Sequence, residues 1–380
     1  MIYLDNSATT KPHPEVVKSF HHVSERFFPN PSSIHQLGGE AEQLLIAAKG
    51  QAAELLDVQQ SEVIFTSGGT EGNNLAIKGI ALQYRQRGKH IIISEVEHPS
   101  VYEACQSLEE LGFEITYLPV NQDGKVSIND VEASIREDTI LISIMHVNNE
   151  TGTIQPIEAI GSIARRYPKL FFHVDAVQGF GKVPLQIQNW GIDLCTISGH
   201  KLHGMKGTGL LYVRDGIKLF PLFHGGQQEN GKRAGTENLP GIISLVKAMR
   251  LIKEREMSDS DKLQALGQAL RCGLDKLHTV RINTPQNGAA PHIMNFSVPG
   301  FKPEVIIHAL GEKDIFISTK SACSSKRMNG SRILEAAGLS EVLSRSALRV
   351  SMSYDTTIDE VNAFLRAIET AIYQLKDVMR

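Results

Sequence analysis

Cysteine is scarce in this chain. The 380 residues hold four, Cys105, Cys195, Cys272 and Cys323, too few and too scattered for a disulfide framework. No CxxC pair occurs, so neither a cysteine-rich zinc site nor another metal centre is expected. A dominant charge is missing too: 39 Lys and Arg against 42 Asp and Glu leave a formal net charge of −3. With no module of interleaved basic and aromatic residues, direct nucleic-acid binding is not expected. No apolar run approaches the ~20 residues of a membrane span; Lys247 and Arg250 interrupt the stretch that begins at Ile242. The opening MIYLDNSATT has no basic segment followed by an apolar one, so no secretory signal is read there. Repeats and low-complexity tracts are absent as well. The expected setting is cytoplasmic and reducing, without membrane contact.

What is present is enough apolar material for a sizeable core, at 41% hydrophobic residues, and length for two or three domains. Seven β-rich runs, at 62–66, 90–94, 113–120, 139–147, 170–176, 194–198 and 209–214, alternate with helical patterns. Most runs are nearly continuous in apolar residues, as strands buried on both faces are. Helices are expected over 40–56, 99–111 and 156–166, the last two opening on a proline. The expected architecture is α/β: a large domain with a mainly parallel seven-stranded sheet, then a smaller α+β C-terminal domain. Two long helices, 239–256 and 259–278, are expected on either side of Ser258-Asp-Ser260, with the boundary near residue 257.

In open α/β sheets ligands sit beyond the carboxyl ends of the strands, so the residues there carry the functional reading. The first run is followed by Ser67-Gly-Gly-Thr-Glu-Gly-Asn-Asn74. Its glycines and Thr70 could wrap an anion at a helix N-terminus, or form an ordinary turn capped by Thr70. It is neither GxxxxGK[ST] nor GxGxxG. His98 follows the second run, where a lone histidine commonly serves as a cap. Asp175 ends the apolar fifth run, a costly place for a carboxylate without a cationic partner. Lys201 directly follows the sixth, where desolvation can lower an amine's pKa and favour a Schiff base. Together, an anion turn, a histidine, a buried acid and a lysine at one sheet edge make the inventory of a pyridoxal phosphate site. Cys323 follows another expected strand in a polar loop beside Lys320, Lys326 and Arg327, cations that favour its thiolate. Cys105, Cys195 and Cys272 read instead as packing thiols in helices and a strand.

The motifs TSGGTEGNN, EVEHPSV, VNNETG, HVDAVQ, SGHKLHGMKGTG, RAGTEN and SACSS occur in an order that resembles the NifS/IscS-like cysteine desulfurases, of the pyridoxal-phosphate aminotransferase class V superfamily. The likeness runs from Tyr3 to Ser351. It implies a fold-type I enzyme, with a large cofactor domain (15–257) and a small domain (1–14 and 258–380) carrying the catalytic cysteine loop. Lys201 would bind pyridoxal 5'-phosphate covalently, Asp175 would pair with the ring nitrogen and Gln178 would approach the ring oxygen. His98 would stack on the ring and help in proton transfer. Gly69, Thr70, Ser198 and His200 would hold the phosphate, with Thr236 reaching that of a neighbouring subunit, so a homodimer is implied. Asn149 and Arg349 would orient the substrate, L-cysteine, and Asn30 and His35 would lie near its entrance. Cys323 would take the sulfur as a persulfide, leaving L-alanine, and pass it to an acceptor protein.

The chain departs from the family pattern at Lys320, Met205 and Gly72, where Gly, Pro and Ser are usual. It ends at Arg380, short of the scaffold-docking tail that housekeeping members carry. A dedicated acceptor, such as a tRNA-thiolation enzyme, is therefore expected, with iron–sulfur or thio-cofactor synthesis as other destinations. The alternatives are a selenocysteine lyase or other class V enzyme, and a non-catalytic sulfur-relay protein.

Overall fold

The computed structural model describes residues 1–319 and 330–378. Among these lie twelve strands: β1 (Ile2–Tyr3), β2 (Val63–Thr66), β3 (His90–Ser94), β4 (Glu114–Leu118), β5 (Thr139–Met145), β6 (Phe171–Asp175), β7 (Leu194–Ser198), β8 (Gly209–Val213), β9 (Arg281–Ile282), β10 (Ile293–Ser297), β11 (Ile315–Phe316) and β12 (Ala347–Ser351). Strands β2 to β8 form one sheet in the order β2-β8-β7-β6-β5-β3-β4. Strand β8 runs antiparallel to both its neighbours, and every other pairing is parallel. All seven runs read from the sequence are strands of this sheet.

Side chains alternate across the sheet with the period of 2 that a strand imposes. Ile91, Ile93 and Leu141 join a core with Leu75, Ile77 and Ile80 of the helix Gly69–Tyr84 and Val101, Cys105 and Leu108 of the helix Pro99–Glu109. Ile92, Ile142, Ile144, Phe172 and Val174 face the other way, toward Ile160 of the helix Ile157–Ala164 and Leu245, Met249 and Ile252. Both faces are covered, which is why these strands read as continuous apolar runs.

The last three residues named belong to a single helix, Leu239–Asp275, 37 residues long. Two helices were expected there; the chain runs unbroken through residue 257. Ser258, Asp259 and Ser260 are weak helix formers, but the penalty is only a few tenths of a kcal/mol each. Arg255 Nε pairs with Asp259 at i+4, 2.5 Å away, across the expected break. Burial of Ile252 on one side and Leu263 and Leu266 on the other holds both halves to the core. Tertiary packing outweighs the local signal.

The rest of the C-terminal part forms a three-stranded antiparallel sheet, β12-β10-β9. The chain's beginning joins it: β1 pairs with β11 in parallel, and Asp5 bridges to Ser351. No helix among the described residues is long and apolar enough to cross a membrane.

Candidate active site

Strand direction decides what meets. Strands β3, β5, β6 and β7 are mutually parallel, so the residues after each emerge at one edge. Strand β2 is antiparallel to β8, which is antiparallel to β7, so β2 also points to that edge. Thr66 and Ser198 both register with Gly209, the first residue of β8, bringing the turns after β2 and β7 together around it. A Cβ at Gly209 would stand 2.6 Å from Gly68 Cα, so this approach requires glycine. Between these turns lies a cavity lined by Gly69, Thr70, His98, Asn149, Asp175, Gln178, Ser198, His200, Lys201 and Arg349. Residues from five of the seven sequence motifs thus converge there with Arg349.

Asp175 lies at the end of β6, almost fully buried. Its Oδ1 accepts the backbone N–H of Val177 at 3.0 Å and its Oδ2 accepts from Asn73 Nδ2 at 2.7 Å. Asn73 Nδ2 also donates to Ser100 Oγ at 2.8 Å. Ser100 Oγ lies 2.8 Å from His98 Nδ1. His98 is the N-cap of the helix Pro99–Glu109, and Nδ1 also accepts the Ser100 backbone N–H at 3.2 Å. The capping role read from the sequence is therefore real, and it coexists with a place in the cavity. Burial lowers the His98 pKa, reinforced by the Lys201 charge and opposed by Asp175.

Lys201 ends the short 3-10 turn Gly199–Lys201 that leaves β7. Its Nζ donates to the carbonyls of Ser7 and of Ala8, the latter at 2.7 Å. The same N-terminal segment reaches Gln178, whose Nε2 donates to Ser7 O at 3.0 Å, and His200, whose Nδ1 lies 3.2 Å from Thr9 Oγ1. Burial, aided by Lys201, pushes the His200 pKa down to about 4. Behind the turn, buried Lys182 donates to the Lys201 carbonyl at 3.1 Å, and burial lowers its amine to about 8.

Arg349, on β12, is 1% exposed. Its guanidinium donates to Asn149 O at 2.7 Å and to Asp5 Oδ1 at 3.0 Å, while Nε stays unpartnered among the described residues. Burial raises the Asp5 pKa, an effect that Arg349 opposes. A buried arginine without such partners would be costly.

Other expected residues fall elsewhere. Thr236 is exposed and does not line this cavity. Nor do Asn30 and His35: Asn30 Oδ1 accepts the Ser32 N–H at 2.9 Å, and His35 caps the helix Gln36–Leu56 through Gly38 N at 3.1 Å. Cys105 and Cys195 are buried, and burial raises both thiol pKa values. Cys272 corrects the packing assignment, since it is exposed. On its helix Leu270 and Leu274 face the core, and a residue two positions from each points away from it. Cys323, with Lys320, Lys326 and Arg327, lies outside the described residues. Missed by the sequence reading were Ser7, Ala8, Asn73 and Ser100, all lining the cavity, and Asp5 and Lys182 behind it. Asn73 and Ser100 stand inside two of the quoted motifs, but nothing local marks them as partners.

Comparison with known proteins places this chain among close relatives. It is 44% identical over 376 residues to a NifS/IcsS protein homolog of Lactobacillus delbrueckii subsp. bulgaricus, covering 98% of this chain and 97% of that one. It is 42% identical to a protein named cysteine desulfurase IscS from Dictyoglomus turgidum, over 99% of this chain and 96% of the other. Among solved structures, a NifS-like protein superimposes with a TM-score of 0.92 at 34% identity, covering 98% and 99% of the two chains. The structure of SspA in complex with cysteine does so with a TM-score of 0.82 at 35% identity, covering 93% of this chain and 99% of SspA. The family model for aminotransferase class-V matches residues 2–364, and the chain belongs to that family.

Proposed function

We propose that this protein is a cysteine desulfurase that converts L-cysteine to L-alanine and holds the sulfur as a persulfide on Cys323. The observation that carries this reading is the convergence of Lys201, Asp175, His98 and Arg349 on one cavity, in a chain 42% identical to a named cysteine desulfurase. SspA, whose structure holds cysteine, supports the choice of substrate.

The cavity suits pyridoxal 5'-phosphate. Ser198 Oγ and Gln178 Oε1 are buried beside it with no hydrogen-bond partner among the described residues, as groups awaiting a ligand are. Gly68, at φ 151°, adopts backbone that favours glycine and supplies no side-chain cap, so first-turn amides of the helix Gly69–Tyr84 remain for an anion. Gly69, Thr70, Ser198 and His200 would hold the phosphate, with Thr236 serving the site of a second copy in a homodimer. Asp175 would face the ring nitrogen, Gln178 the ring oxygen and His98 the ring face, and Lys201 would bind the aldehyde. When bound, the group supplies the electron sink for a carbanion at the substrate's Cα.

The chain's own residues do the rest. Arg349, with Asn149, binds the substrate carboxylate as a two-pronged donor. Lys201 Nζ, which donates to the carbonyls of Ser7 and Ala8, would move the Cα proton. The Cys323 thiolate attacks the substrate sulfur: the S–S bond forms, the Cβ–S bond breaks, and Cβ takes up the proton that completes alanine. The persulfide then passes to an acceptor protein of the tRNA-thiolation or iron–sulfur class, in the cytoplasm. The division into units 15–257 and 1–14 with 258–380 belongs to the same proposal.

Cys323→Ser tests the reading. Alanine formation from cysteine should fall to background while the visible absorbance of bound pyridoxal phosphate persists. Unchanged alanine formation overturns the role of Cys323, and protein that stays colourless after added pyridoxal phosphate overturns the cofactor.

A further inference from the structure

His98 has two ring nitrogens, and its surroundings distinguish them. The Asp175 carboxylate only accepts hydrogen bonds, so the Asn73 amide nitrogen must face it at 2.7 Å. That nitrogen spends its second proton on Ser100 Oγ, at 2.8 Å. The hydroxyl therefore accepts from Asn73, and its own proton is left for His98 Nδ1, also 2.8 Å away. The Ser100 backbone N–H reaches Nδ1 too, at 3.2 Å. Two donors at one nitrogen leave no room for a proton on it. His13 and His35 cap their helices through Nδ1 as well, but of these three only His98 lines the cavity. Burial disfavours the charged imidazole.

We propose that Asn73 and Ser100 are positioning residues that lock His98 with its ring proton on Nε2, so that it offers the bound substrate an N–H donor rather than a base. The proposal rests on the desulfurase reading for its consequence, and leaves the Cα proton to Lys201. Each oxygen of Asp175 keeps a second lone pair, so the network remains compatible with a cationic partner there.

The test uses histidine-labelled holoenzyme in nitrogen NMR, with His98→Gln to assign the signal. Wild type should show a bare Nδ1 and a protonated Nε2. Ser100→Ala should mix the two tautomers and lower kcat about 10-fold, less than the ~100-fold or more of a lost acid–base group, with KM within about 2-fold. Ser100→Thr, which restores the hydroxyl, should recover both. A protonated Nδ1 in wild type overturns the proposal, as does a Ser100→Ala enzyme with unchanged tautomer and kcat. Should Ser100→Ala fail to fold, the wild-type spectrum still decides. Wild type that forms no alanine from cysteine would instead refute the desulfurase reading, leaving the tautomer result to stand or fall by itself.

Discussion

The two sides of the cavity are built in different ways. On the sheet side, His98, Asp175 and Lys201 each sit at the end of a strand or within four residues of one, in a turn set by local backbone. On the other side, Arg349 meets Asp5 across 344 residues of sequence, and the carbonyls under Lys201 come from Ser7 and Ala8, 194 and 193 positions away. The first side takes its geometry from parallel strands ending at one edge. The second depends on the chain's beginning pairing with β11 and bridging to β12. The sheet-side groups therefore rest on strand ends, while Arg349 and the cover over Lys201 hang on long-range closure.

This contrast can be broken from either side. Lys201→Ala acts on the sheet side and should cost roughly 1,000-fold or more in alanine formation, with little change in urea stability. Equal losses of stability and activity would contradict a purely chemical role. Arg349→Met acts on the other side and should do the reverse in emphasis. It leaves Asp5 beside apolar surface and should destabilise folding by about 3 kcal/mol, read from the urea midpoint. Asp5→Asn in the same chain should recover part of that, whereas simple additivity would deny the coupling.

A further effect is that of pH. Burial lowers His146, just after β5, to about 4 and His173, within β6, to about 3. The unfolded chain protonates these histidines below about 6.5, whereas the folded chain resists until about 4 and 3. The unfolded state then binds more protons, so stability should fall as pH drops from 6.5 toward 4, by up to about 1.4 kcal/mol per pH unit for each group. Asp5 and Glu97 contribute in the opposite sense: burial raises both pKa values, so the folded chain keeps these protons longer, and that contribution is lost as pH rises, for Glu97 through about 8. Urea midpoints at pH 7 and pH 5 measure the sum, and a midpoint higher at pH 5 would contradict the dominance of the histidines.

The sequence made the sheet legible because strands covered on both faces are continuous in apolar residues, and such runs end at identifiable places. Asp175 and Lys201 stood out because a charge beside an apolar run demands a partner. Asn73 and Ser100 did not, since a short polar side chain near a helix start is ordinary until another strand end is seen beside it. The break expected at Ser258 was a true local weakness, overruled by contacts to either side of it. Cys272 lacked a visible signal for the opposite reason: which face of a long helix meets the core depends on what packs there.

By itself the sequence determined the α/β architecture, the seven strands of the main sheet, and the acid and lysine of the site. These follow from side-chain period and from the cost of burying charge, both of which act over a few residues. Only the tertiary structure decided which polar groups touch: that Asn73 joins Asp175 to Ser100, that residues 7 and 8 cover Lys201, and that Asp5 holds Arg349. Hydrogen bonds act over about 3 Å and carry no trace in the intervening sequence, so only folding brings these partners within reach.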